Sequence, residues 1–324
     1  MSKTKNILFK FIKPIISILL IYSLFKFGKV DPQQIYQVFN KANIYLCTLA
    51  LVLLVGSNFI SAYRWKLLAK VLGFDLSLFQ YTQYYLMGLF FNLFLPSTIG
   101  GDFSRCYYLS KEKGTYTKAL SSVLADRFIG ISVLFLFASF GLIFAVQTDF
   151  IPVVFKIIIL AATLVIFGLV PFFPKFSTLL FKQSNFLFHL FNNSSLSTYW
   201  KDKSLILATI AWSVVLQTVI VVCHVIIGFA IGLTQIPFWY YFVFYPIVAV
   251  LAFIVPSING LGIREWAYTY FLGLAGVSSV DGITYAFIWL TLNTITSLIG
   301  GLIYLLGDFK MNSNIVAKIQ HERV

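Results

Sequence analysis

The stretch Leu95-Pro-Ser-Thr-Ile-Gly-Gly-Asp-Phe-Ser-Arg105 returns in altered form 160 residues later as Val255-Pro-Ser-Ile-Asn-Gly-Leu-Gly-Ile-Arg-Glu265. Pro96 aligns with Pro256, Ser97 with Ser257 and Gly100 with Gly260. Each copy closes a run of apolar and aromatic residues and is followed at once by charge. Proline removes a backbone donor and clashes with the preceding turn, while glycine opens conformations closed to other residues. In hydrocarbon, unpaired backbone groups and charges are costly because no water is there to solvate them. One copy alone reads more simply as a loop between two helices. Two copies in corresponding places point instead to a pair of interrupted helices around a transport site.

Composition sets the solvent. Hydrophobic residues make up 59% of the 324, charged residues 11%, and the mean hydropathy is +0.88. A water-facing surface needs far more charge than that. The 24 Lys and Arg against 11 Asp and Glu lie mainly in short loops between apolar runs. That placement reflects the positive-inside bias and does not indicate a nucleic-acid surface. Cys47, Cys106 and Cys223 are far apart and odd in number, so they read as packing residues, with neither a disulfide framework nor a metal site expected. The basic N-terminus leads into an apolar run from Pro14 to Phe25, followed by Lys26-Phe-Gly-Lys29 and no small-residue cleavage site. This reads as an uncleaved first span.

The expected fold is all-α and polytopic, a single transmembrane domain over 1–324 with no soluble domain. Full spans are expected at about 7–27, 44–62, 123–146, 153–173, 205–231 and 283–306. The repeat-like motifs fall in 79–127 and 238–293. Arg64, Lys66 and Lys70 precede the first motif, and Arg105, Lys111, Lys113 and Lys118 follow it. Both flanks therefore favour the cytoplasmic side, which a re-entrant dip satisfies and a single crossing does not. The same reasoning brings 238–265 in from the opposite face, so about six full spans carry two re-entrant or broken segments arranged as inverted repeats. The alternative is eight to nine full spans, with 266–278 as an extra crossing. Both termini are expected in the cytoplasm and the protein in the cell (inner) membrane.

The two motifs, together with Ala119-Leu-Ser-Ser-Val-Leu-Ala-Asp-Arg127 and Tyr63-Arg64-Trp65, resemble the lysylphosphatidylglycerol synthase transmembrane (flippase-like) family over roughly residues 10–306. The resemblance implies a protein that moves a lipid, often one with a modified headgroup, between leaflets. In lysylphosphatidylglycerol synthases such a domain precedes an aminoacyltransferase domain. Here the sequence ends soon after the last span, so synthase activity is expected to be absent. Asn259 and Leu261 stand where the first copy has Ile99 and Gly101, a mild departure from two-fold symmetry.

Arginine offers a planar fork suited to phosphate oxygens, which makes Arg105, Arg127 and Arg264 candidate lipid-phosphate contacts. Asp102 and Glu265 are candidates to orient those arginines or to receive an amino headgroup. Asp102 and Arg105, three apart, share a helix face. Ser97, Gly100, Gly101, Ser257 and Gly260 supply the backbone of the substrate-binding turns. The competing reading is an internal ion-pair set joining the two repeats. Arg64 is expected to snorkel at a helix end. His224 is expected to bond a neighbouring helix more readily than to relay protons, and Asn58, Asn92 and Asn293 to join helices. No phosphate-binding Gly-x-x-x-x-Gly-Lys loop, Asp-x-Asp pair or His/Glu cluster is present. The expected function is lipid translocation without a cofactor or a catalytic role, with an anionic or amino-modified membrane lipid as partner. A lipid-headgroup or glycosyl transferase, or an accessory subunit for a lipid-modifying enzyme, is the alternative. A homo-oligomer is compatible with either.

Overall fold

The computed structural model describes residues 31–94, 100–112, 115–144, 151–169, 199, 202–255, 257 and 259–307, with Tyr22 and Lys26. The expected first span at 7–27, the turn holding Pro96 and Ser97, and Pro256 lie outside the described residues. Ten helices and no strand occur among those residues. They are α1 (Pro32–Lys41), α2 (Ile44–Val71), α3 (Leu78–Phe94), α4 (Gly100–Glu112), α5 (Tyr116–Phe144), α6 (Val153–Leu169), α7 (Lys203–Ala230), α8 (Phe238–Ile254), α9 (Ile263–Leu274) and α10 (Ser279–Leu306).

Local chemistry sets the helix starts. The Asn43 side chain accepts from the Tyr45 and Leu46 amides at the start of α2, Asp202 accepts from Leu205 N at α7, and Ser278 accepts from Asp281 N at α10. Each satisfies backbone donors that have no partner inside the helix. Four helices, α2, α5, α7 and α10, are long and apolar enough to cross a bilayer. The protein is a polytopic helical membrane protein.

Helices α2 and α7 pack antiparallel along their full length. Asn43 N donates to Ala230 O at one end, Cys223 Sγ to Ala50 O further along, and Arg64 meets Ser213 near the other end. Helices α3 and α4 form an antiparallel hairpin in which Asn92 faces Gly101 and Gly88 faces Arg105. Helices α8 and α9 form a second, where Ala252 faces Gly260 and Tyr240 Oη donates to Phe271 O.

Helix α10 relates the two hairpins. Gly300 sits against the Leu86 carbonyl, while Asn293 and Ser297 share a cavity with Asn92, so α3 runs antiparallel to α10. Thr269 packs on Gly282, and Tyr268 stacks edge-on with Tyr285, so α9 is antiparallel to α10 and α8 parallel to it. The hairpins therefore enter from opposite ends of α10 and their tips approach one another near its middle. This is the opposed-dip arrangement expected from the charge pattern. At 12 residues, α9 is about 18 Å long, and it folds back on α8, so the extra crossing at 266–278 is not formed.

Small residues allow this closeness, as lipid-embedded helices require when no solvent drives them together. A Cβ on Gly300 would overlap the Leu86 carbonyl, and one on Gly101 would overlap the Gly88 carbonyl. A Cβ on Gly56 meets nothing within 4 Å. Gly300→Val is accordingly expected to lower the thermal midpoint by roughly 5 °C or more in detergent melts, with Gly56→Ala unchanged. Equal midpoints for the two variants would show that the α3–α10 contact is not close.

Candidate functional site

Helices α2, α4 and α5 bring together an alternating row of charges. Arg64 Nε donates to Asp126 Oδ1 at 2.8 Å, and Arg105 Nη2 donates to Asp126 Oδ2 at 3.0 Å. Arg105 Nη1 reaches Asp102 Oδ1 at 3.4 Å, and Arg127 Nε reaches Asp102 Oδ2 at 2.9 Å. Positive and negative groups alternate from Arg64 through Asp126, Arg105 and Asp102 to Arg127. Arg64, Asp126 and Arg105 are 4%, 1% and 3% exposed, so hydration contributes little and the pairing must compensate for it. By helical rise, Arg64 lies about 9 Å inward from Lys70.

Arg105 is the most constrained member of the row. Its guanidinium carbon lies 4.2 Å from the Trp65 ring centroid and 4.6 Å from that of Tyr85, a cation–π sandwich. Trp65 is itself anchored by Nε1 to Ser122 Oγ at 3.1 Å. Gly88 leaves room for the stem, since a Cβ there would sit 3.0 Å from Arg105 Cγ. Arg105 Nε is buried with no hydrogen-bond partner among the described residues.

A cavity of about 170 Å³ opens beside this row, where the hairpin tips meet α10. Tyr85, Asn92, Gly101, Asp102, Arg105 and Arg127 line it from the first hairpin and α5. Asn259 and Arg264 line it from the second hairpin, and Asn293 and Ser297 from α10. The Arg264 side chain makes no hydrogen bond or ion pair among the described residues. It follows a turn in which Asn259, Gly260 and Gly262 have φ of 48°, 77° and 85°. A Cβ on Gly260 would lie 3.1 Å from Arg264 Nη2, so the bare glycine lets the guanidinium lie over the turn.

Four of the candidate residues, Glu265, Ser257, Gly100 and Gly260, serve the turns and not the cavity wall. Glu265 is not a lining residue: its Oε2 accepts from Gly262 N at 2.6 Å and caps α9, while Oε1 is buried without a partner among the described residues. Ser257 Oγ turns back to Val255 O at 3.4 Å. Gly100 begins α4 without lining the cavity, and Ser97 lies outside the described residues. Arg64, expected to snorkel outward, is instead buried between Asp126 and Ser213. The carboxylate that holds it is 62 positions away in the chain, so helix-end reasoning had no means of finding it.

His224 sits in a separate aromatic cluster behind α9. Tyr285 Oη donates its only proton to the His224 carbonyl at 3.1 Å. The 2.7 Å contact between Tyr285 Oη and Nδ1 therefore has Nδ1–H as donor, leaving Nε2 to accept from Tyr268 Oη at 3.2 Å. The ring is a neutral imidazole with both nitrogens satisfied, and it ties α7 to α9 and α10. This is the neighbouring-helix role expected from the sequence.

The sequence profile of the lysylphosphatidylglycerol synthase TM region matches residues 10–301, which contain every lining residue of the cavity. The chain belongs to that family. Within the matched region lie both hairpins, the charge row and the His224 cluster. A UPF0104 membrane protein of Methanocaldococcus jannaschii is 33% identical over 138 residues, covering 42% of this chain and 40% of the relative. The similarity thus spans about two fifths of that relative's length. No solved structure matches the chain.

Removing one partner from a buried ion pair costs about 3–5 kcal/mol. Asp126→Asn uncouples two buried arginines at once, whereas Asp102→Asn removes only a 3.4 Å contact from buried Arg105 and otherwise affects Arg127, whose side chain is 35% exposed. The expected result in thermal melts of purified protein is a clearly larger loss for Asp126→Asn than for Asp102→Asn. His224→Leu, which strands the Tyr268 hydroxyl and removes the ring contact to Tyr285, is expected to cost about 1–3 kcal/mol.

Proposed function

We propose that this protein moves a lipid between bilayer leaflets, receiving its anionic headgroup in the cavity between the two hairpin tips while the acyl chains stay in the bilayer. The observation that carries this reading is Arg264, a guanidinium that faces the cavity with no carboxylate partner among the described residues. With Arg64, Arg105 and Arg127 it makes four guanidinium groups against the carboxylates of Asp102 and Asp126. Counting Glu265 as well still leaves positive charge in excess. Such an excess in a low-dielectric site attracts an anion strongly.

The hairpins give the site a path to each leaflet. They enter from opposite ends of α10, so a small tilt of one against the rest exposes the same cavity to one side or the other. The end that carries Lys66, Lys70, Lys111, Lys118 and Lys203 faces the cytoplasm in this reading. The protein acts in the cell membrane as a transporter and not as a catalyst. Family membership is consistent with a lipid-related membrane role.

Reconstitution in liposomes tests the proposal. The intact protein is expected to accelerate movement of a labelled anionic phospholipid between leaflets, and Arg264→Gln to slow it about ten-fold or more. No acceleration of any labelled lipid overturns the reading. Orientation is checked on a cysteine-free background with Asp75→Cys and Ser279→Cys, both at exposed positions. The first is expected to label from the cytoplasmic side and the second from outside.

A further inference from the structure

The electrostatics of the cavity narrow the class of headgroup it accepts, an inference that rests on the transport reading. Every lining carboxylate oxygen is already engaged. Asp102 Oδ1 accepts from Arg105 and Arg127, and its Oδ2 accepts from Arg127. Asp126, behind the wall, spends one oxygen on Arg64 and the other on Arg105. Glu265 does not line the cavity: its Oε2 accepts from Gly262 N, and its Oε1, without a partner among the described residues, is buried. A primary ammonium entering the cavity would lose its hydration, meet positive charge in excess and find no unengaged lining carboxylate.

The remaining wall suits oxyanions. Tyr85, Asn92, Asn259, Asn293 and Ser297 are neutral and polar, and Arg264 presents a planar fork among them. At about 170 Å³ the cavity is smaller than the ~300–1,000 Å³ typical of small-molecule pockets. A cavity of that size favours a compact terminal group over a bulky one. A phosphate monoester carries about −1.5 to −2 charge and three strong acceptor oxygens at neutral pH. A phosphodiester carries a single negative charge and buries a second ester arm. We infer that the site binds the terminal phosphate monoester of a lipid and discriminates against diester and amine-bearing headgroups.

The test is direct binding, which does not depend on movement between leaflets. Full-length protein in nanodiscs or detergent is titrated by native mass spectrometry with phosphatidic acid, phosphatidylglycerol and phosphatidylethanolamine, and with inorganic phosphate as competitor. Phosphatidic acid is expected to bind about ten-fold more tightly than the other two lipids, from one extra charge-assisted hydrogen bond. Arg264→Gln is expected to erase that preference, with an unliganded melt confirming that the variant is folded. Asn293→Asp adds an unpaired carboxylate to the wall and is expected to weaken phosphatidic acid and favour phosphatidylethanolamine. Equal or tighter binding of phosphatidylglycerol or phosphatidylethanolamine by the unmodified protein overturns the inference. So does a preference that survives both substitutions. Inorganic phosphate binding as tightly as phosphatidic acid overturns the lipid as its source. A preference for phosphatidic acid without lipid movement would sink the transport reading alone, and lipid movement without the preference would sink only this inference.

Discussion

Buried charge in a low-dielectric bundle is tolerable only when each group meets an opposite partner, and the row from Arg64 to Arg127 meets that condition. Asp126 is its hinge. One carboxylate oxygen holds α2 through Arg64, and the other holds α4 through Arg105. Three helices are thereby locked at one level. A shift of any of them would leave a bare charge, a far larger penalty than lost packing. The row therefore specifies the relative positions of α2, α4 and α5 more sharply than their apolar faces can, since those faces meet lipid and protein almost equally well.

Against that fixed row, the second hairpin contributes a cation of a different kind. Arg105 is pinned by two rings and two carboxylates, so its charge is largely spent inside the protein. Arg264 stands on a turn of positive-φ residues at the head of α9, with its side chain over Gly260 and toward the cavity. The two hairpins carry related sequences but divide the work. The first places Asp102 and Arg105 in the paired row, and the second presents a guanidinium without a carboxylate partner among the described residues. Behind α9, the His224 cluster holds that helix in place through Tyr268, one helical turn beyond Arg264.

Much of this was legible in the chain. The apolar runs located the membrane helices, because length and hydropathy decide whether a segment can cross hydrocarbon. The duplicated Pro/Gly break located both hairpin tips, and the distribution of lysine set them on opposite sides. Arg105, Arg127, Arg264 and Asp102 were recognisable as charges beside a break. Arg64 was misread, because a cation near a helix end usually reaches for water and the acid that detains it is distant in sequence. Glu265, a candidate to orient an arginine or to receive an amine, closes the capping box of α9.

The sequence by itself determined that this chain lives in a bilayer, that two of its helices are broken in matching places, and that arginines flank the breaks. Those are consequences of local composition, and solvent exclusion acts on every segment separately. Only the tertiary structure decided which arginines are neutralised and which one is left facing a cavity. That outcome depends on carboxylates brought in from other helices, and the falloff of electrostatic interaction with distance makes a few ångströms of packing decide it.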